Sequence, residues 1–278
     1  MTTQVGSSEF YRVRYAGELR QLQDAVFSEV YEDYFGQSSW ITTGDYDRFF
    51  SLLQVGPASR VLDVGSGWGA PALRLARQTG CSVAGIEINA EAVSSATALA
   101  AQLNLDQRVR FRACDASQPL TFPNNSFDSI VCFDALVNFL DRAPLFSEWG
   151  RALKPSGTLL FTEQIVTGPI SNEEMAQRSP SQSFVISVPG LTERLLTDAG
   201  FKLVRREDLT TTLAELARRH CAAREGRGQA LRALEGDDVY NSLTQYRIVA
   251  ERLARERRLS HVLFVAEKPA QPLAPALP

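Results

Sequence analysis

Histidine and paired cysteine are scarce in these 278 residues: there are two histidines, four cysteines and no CxxC pair. That leaves no ligand spacing for a zinc site, and nothing in the chain asks for a metal. Cys81, Cys114, Cys132 and Cys221 stand apart, three of them in or beside apolar strand-like runs, so they read as buried reduced thiols. No apolar run approaches the roughly 18 residues needed to span a bilayer. The polar opening MTTQVGSSEF has no signal-peptide core. Those absences predict a cytoplasmic protein with no membrane partner. Neither sign of charge dominates, the formal net being -3, which leaves no broad electrostatic footprint for nucleic acid.

What is present is ample apolar content, 44% of residues, enough for a real core in one large domain with a cap. β-Branched apolar runs at 60–65, 82–88, 108–113, 127–134 and 157–165 alternate with helical patterns at about 69–79, 90–103 and 142–153. Such alternation predicts an α/β fold, a Rossmann-like doubly wound sheet with its ligand crevice beyond the carboxyl ends of the strands. Two later strand candidates, 202–206 and 261–267, are separated by a long helical stretch. They bring the sheet to seven strands, mostly parallel with the last antiparallel.

Other segments fall outside the alternation. Leu19, Leu22, Val26 and Val30 recur at helical spacing, predicting an amphipathic N-terminal helix over the sheet's open edge. The stretch 166–188 is rich in Gly, Pro and Ser, and 210–258 reads as two amphipathic helices around EGDDVYN. The expected organisation is a helical lid over 1–50, a core over 51–210, a helical cap over 211–259, a final core strand over 260–268 and a fraying Pro/Ala-rich tail over 269–278.

The stretch VLDVGSGWGA, residues 61–70, runs from a strand into glycines at 65, 67 and 69. Glycine there either permits a sharp bend or lets a ligand approach bare backbone. An acidic residue at the end of the next strand favours the ligand, because a carboxylate there can accept both hydroxyl protons of a ribose. Glu87, 22 residues beyond Gly65, stands near the roughly 20 expected. The spacing is GxGxG rather than the pyrophosphate-holding GxGxxG, so an adenosine ligand without phosphates fits better.

With CDA at 114–116, FPNNSFDSIVCFDA leading through the fourth strand and LKPSGTLLFTE around the fifth, the chain from about 60 to 165 resembles the class I S-adenosylmethionine (SAM) methyltransferases. The resemblance implies a transferase of the EC 2.1.1 type with SAM as cofactor and S-adenosylhomocysteine as its product. It carries cofactor contacts onto Gly65, Ser66 and Gly67, onto Glu87 and Ile88, and onto Asp115 and Ala116. FGQSSWITTG at 35–44 and DALVNF at 134–139 resemble more closely the phosphoethanolamine and sarcosine/dimethylglycine methyltransferases, which places Tyr31, Ile41 and Thr42 against the cofactor. Two positions depart from that group: Asn138 stands where phosphoethanolamine enzymes carry a catalytic histidine and Gln23 where they carry its tyrosine partner. These argue against phosphoethanolamine itself as the acceptor.

For catalysis the expectation is that Asp134 and Asn138 orient a small-molecule acceptor and that His220 removes a proton where the acceptor needs it. His220 continues the stripe of Leu213, Leu216 and Ala217, so it reads either as an interior histidine or as a base reaching in from the lid. His261 opens the last strand and reads as structural. Asp63 is a turn partner or a cofactor ligand, Asp115 a cofactor ligand or a loop cap, and Glu163 an acceptor contact or a lid anchor. Methyl transfer to nitrogen is favoured over oxygen or carbon, in a monomer or homodimer. The alternative is a protein of the same fold that keeps SAM as a structural ligand while catalysing a cyclisation or rearrangement, or that only binds.

Overall fold

The computed structural model describes residues 17–178 and 184–270. The first 16 residues of the expected lid, part of the 166–188 stretch and the tail beyond 270 lie outside the described residues. Seven strands form one sheet: β1 (Arg60–Val64), β2 (Ser82–Glu87), β3 (Val109–Ala113), β4 (Phe127–Cys132), β5 (Leu153–Val166), β6 (Lys202–Asp208) and β7 (Leu259–Glu267). Their order is β3-β2-β1-β4-β5-β7-β6. β1 to β5 pair in parallel, and β7 runs antiparallel to both β5 and β6.

Side chains alternate between two apolar layers because successive residues of a strand face opposite sides. Leu62, Val64, Ile130, Leu159 and Phe161 pack with Phe146 and Trp149 of the helix Ala143–Ala152. Val61, Val83, Val131 and Leu160 pack on the other side with Leu73, Leu75 and Ala76 of the helix Ala70–Thr79 and with Tyr46, Phe49 and Phe50 of Thr43–Leu52. The parallel strands are therefore near-continuous apolar runs, buried on both faces.

Three expectations change. The N-terminal helix, Gly17–Val30, does not seal a sheet edge: Leu19, Val26, Phe27 and Val30 join a third cluster with Leu213, Leu216, Ala217 and Tyr240 of the cap. Its apolar stripe shows that one face is buried, and a stripe carries no label for the surface it meets. The stretch 210–258 holds three helices, Thr210–Gly226, Gly228–Glu235 and Asp237–Arg255, because the chain breaks at Arg227, between Gly226 and Gly228, as well as at the expected Gly236 with its positive φ. β4 ends at Cys132, so Phe133 and Asp134 belong to the loop beyond it, where Asp134 takes a left-handed φ of 52°. Aspartate tolerates that region better than most side chains.

The order of the strands reverses beside β1, between β2 and β4, the switch point where such sheets bind ligands. The Gly65 loop after β1 and the Phe133–Asn138 loop after β4 meet there.

Candidate active site

A cavity of about 200 Å³ opens at that switch point. Its floor is the loop Gly65–Trp68 with Asp63 beneath, one wall is Glu87, Ile88, Asp115 and Ala116, and the opposite wall is Asp134, Asn138 and Phe139. A strap of four residues, Gly36 to Ser39, closes one side. A larger hollow of about 420 Å³ lies at the amino ends of the parallel strands, around Ser59, Asp128 and Lys154, away from the glycine loop.

The glycines divide their work. All three have positive φ: 70° at Gly65, 51° at Gly67 and 81° at Gly69. A Cβ on Gly65 would sit 2.6 Å from the Ala135 Cβ, and one on Gly69 would strike Phe111 and come within 2.9 Å of Ala96. Those two positions are bare so that the protein can pack against itself. A Cβ on Gly67 would meet nothing within 4 Å, so Gly67 alone turns bare backbone toward open space. The expectation is that the whole run leaves room beside bare backbone; the structure leaves such room at one glycine of the three.

The cavity is acidic. Among its described lining residues are Asp63, Glu87, Asp115 and Asp134, with no lysine, arginine or histidine. Burial first, and then the neighbouring Glu87 carboxylate, push Asp63 up to about 7. Burial likewise raises Glu87, against the backbone donors that steady it. The Glu87 carboxylate accepts from the Gly67 N–H at 3.1 Å and the Asn89 N–H at 3.0 Å, which fixes its aim. Three buried atoms on the lining have no hydrogen-bond partner among the described residues: Asp63 Oδ2, Ser66 Oγ and Asn138 Oδ1. Such atoms are costly unless something binds them. They suit a ligand that brings its own donors and positive charge, and they oppose a pyrophosphate.

Nine of the thirteen expected site residues line this cavity: Gly65, Ser66, Gly67, Glu87, Ile88, Asp115, Ala116, Asp134 and Asn138. Asp115 also caps its loop, accepting from the Ser117 N–H at 2.9 Å, while it lines the cavity. Four residues are not brought to the lining. Tyr31 sends its hydroxyl to the Ser39 carbonyl and so supports the strap from behind. Ile41 is buried in the layer beneath, and Thr42 caps the helix Thr43–Leu52. His220 stands among the rings of Phe27, Trp40 and Tyr31, with centroids at 5.4, 5.7 and 5.9 Å.

Asp134 is already engaged. Its Oδ2 accepts from the Trp40 N–H at 2.6 Å, and its Oδ1 accepts from Thr162 Oγ1 at 2.8 Å and from His261 Nε2 at 2.7 Å. Burial pushes its pKa up, but His261, the Trp40 amide and Thr162 outweigh that and hold it below the ordinary value. Glu163 forms a fully buried pair with Arg142, whose guanidinium also donates to the carbonyls of Leu136 and Val185. It is therefore an anchor for the loop beside Asn138.

Sequence reading missed the strap residues Gln37, Ser38 and Ser39, Tyr46 beneath them, and His261 as the partner of Asp134. The only signal for His261 was its place at the start of an antiparallel last strand, which returns it to the carboxyl ends of β4 and β5.

The family model described as a methyltransferase domain matches residues 62–161. The 27-O-demethylrifamycin SV methyltransferase of Amycolatopsis mediterranei is 31% identical over 233 residues, covering 82% of this chain and 84% of that protein. A phosphoethanolamine N-methyltransferase of Triticum aestivum is 28% identical over 77% of this chain, which spans 42% of that longer protein. The solved structure of the [4+2]-cyclase SpnF superposes with a TM-score of 0.73 at 24% identity, over 96% of each chain, and so shares the fold. No described helix is long and apolar enough to cross a membrane. With this sheet order, the glycine loop and the acidic residue after β2 in place, the chain belongs to the class I SAM-dependent methyltransferases.

Proposed function

We propose that the chain moves the methyl group of SAM to a small-molecule acceptor held beneath the strap and the helical cap. One observation carries this reading: a cavity at the switch point that gathers, among the described residues, four carboxylates and no cationic side chain, which suits an adenosyl ligand bearing an ammonium and a sulfonium. The residues fit SAM. Glu87, already fixed by the Gly67 and Asn89 amides, keeps lone pairs for the ribose hydroxyls. The orphaned Asp63 Oδ2 and Ser66 Oγ would hold the amino-acid end, and Asp115 and Ile88 the adenine; their place on the cavity lining supports this assignment. When bound, SAM supplies an electrophilic methyl for in-line displacement.

What the protein adds is position. Holding a nucleophile in line can supply up to roughly 7–11 kcal/mol of the barrier. Asn138 donates its amide N–H to the Ala135 carbonyl at 3.2 Å, which leaves Oδ1 to accept a proton-bearing group of the acceptor. The strap excludes water from one side. Among the described residues no imidazole or amine lines the cavity, which leaves only carboxylates as bases and favours a nucleophile that needs none, such as a neutral amine. A hydroxyl acceptor is the second reading, supported by the relative named for 27-O-demethylrifamycin SV.

Incubation with methyl-labelled SAM and a panel of amines and hydroxyl compounds, 27-O-demethylrifamycin SV among them, tests both. Label in an amine product supports the first reading and label in an ether the second. Conversion of a substrate with SAM left intact would overturn methyl transfer in favour of a cyclisation that uses SAM as a structural ligand.

A further inference from the structure

The Asp134 carboxylate receives three donors, and each comes from a different part of the fold. Thr162 is on β5, His261 is the third residue of β7, and the Trp40 amide directly follows the strap. Thr162 Oγ1 also accepts from the Asp134 N–H at 2.9 Å, so the residue is gripped at backbone and side chain despite its left-handed φ of 52°. The strap, Gly36 to Ser39, is a wall of the cofactor cavity, and its chain ends at the pinned amide.

His261 is fully buried. Its backbone N–H donates to Thr210 Oγ1 at 3.1 Å and its carbonyl accepts from the Leu209 N–H at 2.8 Å, both at the start of the first cap helix. Its ring has one partner among the described residues, Asp134 at Nε2, while Nδ1 has none. With a carboxylate oxygen as the acceptor, Nε2 carries the hydrogen. The Trp40 ring completes the circuit, lying 5.7 Å from His220 and 5.8 Å from Tyr246 of the cap.

We infer that His261 is a positioning residue for the strap: it holds the Asp134 carboxylate in the orientation that pins the Trp40 amide, and thereby sets how long the cofactor cavity stays closed. Without the imidazole, Oδ1 keeps Thr162 alone, and the carboxylate gains freedom to rotate away from Trp40. The strap has other ties, from Tyr31 to the Ser39 carbonyl and from Ser39 Oγ to Tyr46 at 2.9 Å, so loss of His261 loosens it without unfolding it. The part of this inference that concerns the cofactor rests on the function proposed above; the latch itself does not.

The test compares wild type, His261→Gln and His261→Phe by amide hydrogen exchange without ligand, reading peptides over 36–42 against peptides over β1 and β4. A bond to a charged acceptor justifies an expected acceleration of about tenfold in the strap of His261→Phe, with β1 and β4 unchanged. Glutamine, which still offers an N–H, restores most of the protection. The dissociation rate of S-adenosylhomocysteine follows the same order. Equal strap exchange in wild type and His261→Phe overturns the inference, as does equal acceleration by Gln and Phe, or acceleration of β1 along with the strap. Nitrogen-15 spectra of the wild-type imidazole cover the case in which the variants do not fold: a slowly exchanging Nε2–H supports the latch, and an Nδ1–H tautomer overturns it. Failure of S-adenosylhomocysteine to bind wild type at all would count against the cofactor reading and leave the exchange result standing.

Discussion

Alanine at Gly65, Gly67 and Gly69 separates packing from ligand space within five residues. Each position has positive φ, which costs an L-residue about 1–2 kcal/mol. At Gly65 and Gly69 the new methyl also lands on Ala135 and on Phe111 with Ala96, adding about 1–3 kcal/mol of overpacking. At Gly67 it projects into open space and adds no such clash. Thermal melting without ligand should therefore rank Gly67→Ala closest to wild type, with Gly65→Ala and Gly69→Ala lower by several more degrees. Calorimetry with S-adenosylhomocysteine should show Gly67→Ala weakened by about tenfold or more, because a methyl there occupies ligand volume. Wild-type affinity in Gly67→Ala, with a melting loss as large as that of Gly69→Ala, would refute this division of roles.

Asp63, raised to about 7, is worth most to the ligand-free fold below the ordinary carboxylate range, and that contribution is lost as pH rises toward 7. Asp63→Asn should therefore gain stability relative to wild type as pH rises between about 4 and 7 in denaturant titrations. Over the same range the affinity of wild type for S-adenosylhomocysteine should rise as the carboxylate forms to meet the ammonium, and stay flat in Asp63→Asn; equal slopes would remove Asp63 from the site. His220→Gln should keep the wild-type pH profile of turnover while melting lower, since its ring packs edge-on against Phe27, Tyr31 and Trp40 at about 0.5–1.5 kcal/mol per contact; a lost acid limb would return it to the base role. Glu163→Gln should destabilise by about 3 kcal/mol or more in chemical denaturation, because Arg142 is left buried without its counter-charge; a neutral result would show that the pair is not an anchor.

Much of the sheet was legible because its strands are apolar runs of the right length between helical periods, signals that depend on near neighbours in sequence. The cavity wall was legible for the same reason: Gly65 to Gly67, Glu87 and Asp115 each follow a strand directly. Which surface an element meets was not. The stripe of Leu19, Val26 and Val30 was visible, but its partners in the cap lie nearly 200 positions away. Gly65 and Gly69 looked like ligand-facing positions because spacing cannot show that Ala135 and Phe111 fill the places their side chains would take. His261 meets Asp134 across 127 positions, through an antiparallel strand that turns back to the site. Asp134 looked wholly available to the acceptor, and the structure shows three donors, from Trp40, Thr162 and His261, already on its carboxylate.

The central claim, that the acidic cavity holds the adenosyl ligand through Glu87, is tested most directly by calorimetric titration of wild type and Glu87→Ala with S-adenosylhomocysteine. The account predicts a micromolar or tighter complex for wild type. Losing two ribose bonds to a charged acceptor, about 1.5–3 kcal/mol each and partly offset by water, should weaken Glu87→Ala by at least about tenfold with the melting curve little changed. Equal affinity in the two proteins, or no binding by wild type, would contradict it.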